Sequence, residues 1–154
     1  MRGDQKVIDA LNGALKEELA AINQYFIHAE MCENWGYKKL SEYIKKQSID
    51  EMKHAEALME RILFLDGVPR MGETLALNVG ANVKSQIEND LKLEVSAVAM
   101  YNGYAKLAAE AGDNASRELF IRLLKDEEEH VDWLETQLGL IKELGIENYL
   151  AQQM

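Results

Sequence analysis

Two copies of a Glu-x-x-His sequence contain the residues of this chain best suited to chemistry. The first runs from Glu51 to His54, and the second runs from Glu127 to His130, 76 positions further on. Residues three apart on a helix lie on the same face, so each glutamate points the same way as its histidine. Carboxylate oxygens and imidazole nitrogens are common metal ligands. Each copy can therefore contribute half of a metal site.

The same offset relates two further glutamates, Glu18 and Glu94. Each of them precedes a glycine by 18 positions, and the histidine of the corresponding motif follows that glycine by 18 positions. The glycines are Gly36 and Gly112. If they mark the turns of two helical hairpins, each glutamate lies level with its Glu-x-x-His. The pattern indicates a duplicated hairpin.

Helix is predicted for nearly the whole chain, because apolar residues recur at helical spacing and Pro69 is the only proline. The predicted helices cover about 5–35, 37–65, 83–111, 115–144 and 146–153. Residues 66–82 form a connection long enough to run the length of a bundle, which makes the second and third helices parallel. We expect one domain over residues 1–154, an all-α four-helix bundle with one long crossover and a short C-terminal fifth helix.

In this topology the two glycine turns lie at opposite ends of the bundle, so the two half-sites meet near its middle. The residues predicted to converge are Glu18, Glu51, His54, Glu94, Glu127 and His130. Four buried carboxylates repel one another, and burying each one costs on the order of several kcal/mol. Two divalent cations balance the four negative charges, and an oxygen-rich set with one imidazole per ion suits iron or manganese. We therefore predict a di-metal centre.

The composition narrows the classes of function. The formal net charge of −10 argues against nucleic-acid binding and suits a protein that attracts cations. Cys32 is the only cysteine, which excludes an internal disulfide and a zinc site of paired cysteines. No apolar segment is long enough to span a membrane, and the N-terminal segment lacks the apolar run of a signal peptide. We therefore expect a cytoplasmic protein.

The whole chain, including these six predicted ligand residues, resembles the bacterioferritins. The resemblance implies a ferritin-like fold in which Glu51 and Glu127 bridge two irons, while the other glutamate and histidine of each hairpin complete one iron site. It also implies a ferroxidase, which oxidises Fe(II) with O₂ or hydrogen peroxide. The Fe(III) would be stored as a mineral inside a hollow shell of 24 chains.

The resemblance also gives a role to Met52, which follows the bridging Glu51 and points about 100° away from it around the helix. In bacterioferritins this position provides one axial ligand of a haem b, and the same position of a second subunit provides the other. A flexible contact at a subunit interface is the alternative for a methionine here. The family often pairs with a bacterioferritin-associated ferredoxin that reduces the stored iron through the haem.

Other interpretations stay open from the sequence alone. A di-metal peroxidase or catalase of the same structural class, without a storage role, would use similar ligands, and a metal-free helical scaffold would use none. Tyr25 and Tyr101, at equivalent positions of the two halves, and Trp133 could each hydrogen-bond a ligand, donate an electron or pack in the core. His28 has Tyr104 at the equivalent position and is expected to be a packing or surface residue.

Overall fold

The computed structural model describes residues 1–154 as five α-helices without β-strands. The helices are α1 (Gln5–Asn34), α2 (Lys38–Phe64), α3 (Val83–Glu110), α4 (Asn114–Leu144) and α5 (Ile146–Ala151). None of them contains a stretch long and apolar enough to cross a membrane. Four long helices, a long connection between α2 and α3, and a short final helix confirm the predicted fold class.

Side-chain caps and glycines set the helix ends. Asp4 accepts the backbone N–H two residues further on at the start of α1 (2.7 Å), and Asp113 accepts that of Ser116 at the start of α4 (3.0 Å). These bonds satisfy donors that have no partner within the helix. Gly36 and Gly112 adopt φ angles of 89° and 73° in the two hairpin turns, a conformation that glycine takes without strain.

Two apolar clusters establish how the helices run. One cluster joins the N-terminal parts of α1 and α4 to the C-terminal parts of α2 and α3, and it includes Leu11, Leu58, Tyr101 and Phe120. The other joins the opposite ends of the same helices, and it includes Tyr25, Ile44, Ile87 and Leu134. α1 is therefore parallel to α4 and antiparallel to α2 and α3, as the long crossover requires.

The crossover, residues 65–82, is held against α1 by side-chain amides. The amide of Asn12 donates to the carbonyl of Val68 (3.2 Å) and accepts the backbone N–H of Arg70 (2.8 Å). Further along, the amide oxygen of Gln24 accepts the backbone N–H of Asn78 (3.0 Å). Because each bond satisfies a crossover backbone group, polar residues of α1 fix the path of a segment that has no regular structure.

His28 anchors the end of the crossover and is completely buried. Its Nε2 accepts the backbone N–H of Gly80 (3.0 Å), so Nδ1 carries the ring proton and lies 2.9 Å from Asp90 Oδ1. Gln24 donates to the same oxygen at 2.8 Å. Burial raises the pKa of Asp90, and the contacts with His28 and Gln24 oppose that rise. His28 is thus a core residue with polar partners, not a surface residue.

α5 is two residues shorter than the predicted 146–153. The backbone N–H groups of Gln152 and Gln153 bond three residues back, to the carbonyls of Tyr149 (3.1 Å) and Leu150 (2.9 Å). Bonds of this spacing tighten the last turn and end the α-helix. The carbonyl of Gln153 then accepts the backbone N–H of Lys39 (2.9 Å), which docks the C-terminal end on α2.

We expect Asn12→Ala to loosen the crossover, because it leaves backbone groups of Val68 and Arg70 without partners. The free energy of unfolding should fall by about 1–3 kcal/mol, and the Arg70 amide should exchange faster. Hydrogen exchange followed by mass spectrometry measures the effect. Asn23→Ala is the matched control, since its exposed amide bonds only within α1. Equal exchange of the crossover in the two variants would contradict this role of Asn12.

Candidate metal centre

The six predicted ligands lie together in one layer at the middle of the bundle, between the two apolar clusters. α1 and α3 contribute one glutamate each, and α2 and α4 contribute one Glu-x-x-His motif each. None of the six side chains belongs to a residue more than 7% exposed. They are Glu18, Glu51, His54, Glu94, Glu127 and His130. The structure thus brings together every residue that the duplicated spacing pointed to.

The layer consists of two overlapping groups of four residues. Within each group, one ligand atom from every residue lies within 4.8 Å of the others. The groups are Glu18, Glu51, His54 with Glu127, and Glu51, Glu94, Glu127 with His130. Glu51 and Glu127 belong to both. A carboxylate has two oxygens, so a shared glutamate can contact a separate ion with each of them.

One imidazole nitrogen faces the carboxylates in each group. His54 Nδ1 lies 3.0 Å from Glu127 Oε1 and 3.4 Å from Glu51 Oε1. His130 Nδ1 lies 3.3 Å from Glu51 Oε1 and 3.4 Å from Glu94 Oε1. Such a donor set, rich in oxygen and with a single nitrogen per group, suits iron or manganese better than zinc.

Several of these buried atoms have close neighbours but no hydrogen-bond partner. They are Glu18 Oε2, Glu51 Oε1, His54 Nδ1, Glu94 Oε2 and Glu127 Oε1. A buried polar atom left unpaired costs about 1–3 kcal/mol and is uncommon in folded proteins. They belong to residues of the two ligand groups, in which one ligand atom per residue lies within 4.8 Å of the others, so a cation bound in each group would give them a partner. The residues therefore fit a metal.

Burial and repulsion govern the protonation of the layer. Burial raises the pKa of Glu51 well above its usual value, and repulsion from Glu18 and Glu94 adds to the rise. Burial also raises the pKa of Glu127 and that of Glu94 to about 7. Burial lowers the pKa of His54, but the carboxylates of Glu127 and Glu18 outweigh it and raise that pKa to about 11. A binding cation must therefore displace protons.

Two tyrosines donate hydrogen bonds from one hairpin to the ligand carboxylates of the other. The hydroxyl of Tyr25 in α1 donates to Glu94 in α3. The hydroxyl of Tyr101 in α3 donates to Glu18 in α1 at 2.5 Å. Burial raises the pKa of both tyrosines well above the usual value, and nearby carboxylates add to the rise. Both phenols therefore remain protonated donors.

The layer opens between α2 and α4 through a polar cavity of about 240 Å³. No hydrophobic residue lines it, and the lining residues are Asp50, Lys53, His54, Asp126, Glu129 and His130. Asp126 Oδ2 lies 2.9 Å from His54 Nε2, which keeps Nδ1 turned towards the carboxylates. From the sequence, Asp126 is recognised only as the repeat of Asp50 at the 76-residue offset, which does not reveal this contact with His54. Its carboxylate makes the opening attractive to cations.

Met52 lies outside the layer, on the surface of the α1/α2 hairpin. It is 52% exposed and lines an open groove of about 510 Å³. The apolar residues beside it are Leu19, Ile22, Ile49, Ala55 and Met59. An exposed apolar groove of this kind is typical of a subunit interface or of a site for an apolar cofactor.

Known proteins share this sequence pattern over nearly its whole length. A family model described as a ferritin-like domain matches residues 8–144. The chain is 43% identical to a bacterioferritin of Mycolicibacterium paratuberculosis over 152 residues, which covers 99% of this chain and 96% of the relative. It is 44% identical to a bacterioferritin of Brucella melitensis and 42% identical to one of Rhodobacter capsulatus, each over 149 residues, 97% of this chain and 92% of the relative. The chain therefore belongs to the bacterioferritin family.

Proposed function

We propose that this protein stores iron and oxidises Fe(II) at a di-iron centre within each subunit. The observation that carries the proposal is the pair of ligand groups that share Glu51 and Glu127. Relatives at 42–44% identity are bacterioferritins, a name that is consistent with iron storage. The unpaired ligand atoms between the groups support binding of two cations, because each ion would satisfy atoms that the protein alone leaves without partners.

The ligand charges support two Fe(II) ions per chain. Four glutamates carry four negative charges when fully ionised, and two Fe(II) carry four positive charges, so the loaded layer is neutral. Glu51 and Glu127 would bridge the ions. Glu18 and His54 would complete one iron site, and Glu94 and His130 would complete the other. Asp126 would hold the His54 ring in the orientation that leaves Nδ1 free for the metal.

Fe(II) is the substrate of the proposed oxidation. A bound pair supplies two electrons. With two protons, these electrons alone reduce O₂ to hydrogen peroxide, or hydrogen peroxide to two waters. The carboxylates favour this direction, because four negative charges stabilise Fe(III) more than Fe(II). The acidic cavity between α2 and α4 gives iron a polar route to and from the layer.

Storage requires a compartment, and we infer that 24 copies assemble into a hollow shell in the cytoplasm. Apolar residues exposed on the isolated chain, among them Phe26, Leu63 and Phe64, support burial between subunits. A bacterioferritin-associated ferredoxin is the proposed reductant of the store. The net charge of −10 gives no support to a nucleic-acid partner. No helix of the chain itself is long and apolar enough to cross a membrane.

We also propose a haem b at a twofold interface, held by Met52 of two subunits. A thioether is a soft ligand that suits haem iron, and the apolar groove around Met52 would shield the edge of a macrocycle from water. A bound haem would pass single electrons between the outside of the shell and the stored iron. Leu19 and Ile22 from α1, with Ile49 from α2, would pack against it.

We expect Glu18→Ala and His130→Ala each to slow the rapid oxidation of Fe(II) by about 100-fold or more, because each removes a ligand of one ion. Stopped-flow absorbance at two Fe(II) per chain measures the rate. Glu17→Ala is the control, since Glu17 is the exposed neighbour of Glu18. Parent rates in both ligand variants would contradict the assigned centre.

Size-exclusion chromatography of the same samples separates storage from other di-metal functions. The parent and all three variants should elute near 420 kDa, about the mass of 24 chains of 17.5 kDa, because the six ligands lie inside the bundle. A monomer or dimer with normal Fe(II) oxidation would contradict the storage shell and favour a di-metal peroxidase or catalase.

We expect Met52→Leu to remove the haem absorption bands, because leucine keeps the apolar surface but has no ligand atom. Fe(II) oxidation should continue at the parent rate, since Met52 belongs to neither ligand group. Spectra of purified shells, with haem and protein quantified together, test this. Met71→Leu is the control, because Met71 is similarly exposed (53%) but lies in the crossover. Unchanged haem content in Met52→Leu would rule out the axial-ligand role.

A further inference from the structure

Tyr25 and Tyr101 occupy equivalent positions in the two halves of the chain, 76 residues apart. Both are completely buried, and they lie in different apolar clusters on opposite sides of the ligand layer. Packing alone does not require a hydroxyl at either position, since phenylalanine fills nearly the same volume without a polar atom to satisfy. The reason for a hydroxyl at both positions must therefore be its contact with the ligand layer.

Each hydroxyl contacts the layer at an equivalent place. Tyr25 donates to Glu94, and Tyr101 donates to Glu18 at 2.5 Å. These are the two glutamates that belong to only one ligand group each. Each of the two proposed iron sites thus has one phenol bonded to its own carboxylate. Tyr104 differs, although it is in the same helix as Tyr101, because it is only partly buried and its hydroxyl does not bond to a ligand carboxylate.

We propose that Tyr101 acts with Tyr25 as a pair of one-electron donors, one per iron site, so that O₂ is reduced fully to water in one turnover. The proposal rests on the ferroxidase function proposed above and assigns Tyr101 a redox role in it. The two bound Fe(II) alone supply only half of the electrons needed to convert O₂ to water. Two phenols supply the other half.

The step balances in atoms and electrons. Two Fe(II) and two tyrosines give four electrons, and O₂ takes these with four protons to form two waters. Each phenol O–H bond breaks, its proton passes along the existing hydrogen bond to the ligand carboxylate and on to product, and a neutral tyrosyl radical remains. Solvent supplies the other two protons. Later Fe(II) reduces each radical with uptake of a proton, which restores the tyrosine and yields Fe(III).

The surroundings of both rings suit this step. A phenol loses its proton when it loses an electron, and Glu18 and Glu94 are acceptors already in hydrogen-bonding contact. Complete burial keeps water and external reductants away from the radical. The consequence for the protein is that its first turnover releases no hydrogen peroxide beside the stored iron.

The direct test uses the parent shell, loaded without oxygen with two Fe(II) per chain and mixed with excess O₂. Freeze-quench electron paramagnetic resonance counts tyrosyl radicals, and a peroxidase-coupled dye measures hydrogen peroxide. We expect more than one radical per chain and almost no peroxide. No more than one radical per chain at any time would overturn the pairing of Tyr101 with Tyr25. Absence of Fe(II) oxidation in this sample would instead count against the ferroxidase function.

Tyr101→Phe, Tyr25→Phe and the double variant then assign the radicals, with Tyr104→Phe as the matched control. Each single variant should lose about half of the radical signal. The double variant should lose all of it and release about one hydrogen peroxide per two Fe(II), while Tyr104→Phe matches the parent. Anaerobic Co(II) titration checks that the layer still binds metal. A full radical signal in Tyr101→Phe, or weaker Co(II) binding as its only change, would show that Tyr101 merely positions Glu18.

Discussion

The burial of four carboxylates in one layer, between two apolar clusters, is the constraint on which this molecule depends. Bringing each charge out of water costs on the order of several kcal/mol, and the charges repel one another. Protons relieve part of this cost, as the raised pKa values of Glu51, Glu94 and Glu127 indicate. Two divalent cations would relieve it more completely, so we expect metal binding to stabilise the bundle.

The architecture meets this constraint by repeating one hairpin. Two short glycine turns and one long crossover place the equivalent halves of the layer at the same height, and the tyrosine bonds run from each hairpin to the other. The outer surfaces of the hairpins have diverged. Where the first hairpin exposes Met52 in an apolar groove, the second has Glu128 in a groove that also carries Asp132 and Glu135. The repeat is therefore kept in the ligand layer but not on the two outer faces.

Sequence alone predicts the fold class and the convergence of the layer, because both follow from periodicity and from equal spacing about Gly36 and Gly112. Contacts between helices are harder to predict, because they depend on helix rotation and side-chain rotamers. The bond between Asp126 and His54 is one example, and the stacking of Trp133 on Tyr43, with ring centroids 4.1 Å apart, is another.

The polar contacts of the crossover are also hard to predict from the sequence. His28 has no repeat partner, and its partners in the core come from a loop and from α3, neither of which a helical pattern identifies. The end of α5 is hard to predict for the same reason, because the carbonyl of Gln153 accepts a hydrogen bond from Lys39 in α2.

The measurement that tests the central claim most directly is a crystal structure of the protein soaked with ferrous salt without oxygen, with anomalous data recorded at the iron edge. We expect two iron peaks per chain, about 3.5–4 Å apart, with Glu51 and Glu127 between them. The account would be contradicted if the soaked crystal showed iron at other positions but none among the six side chains.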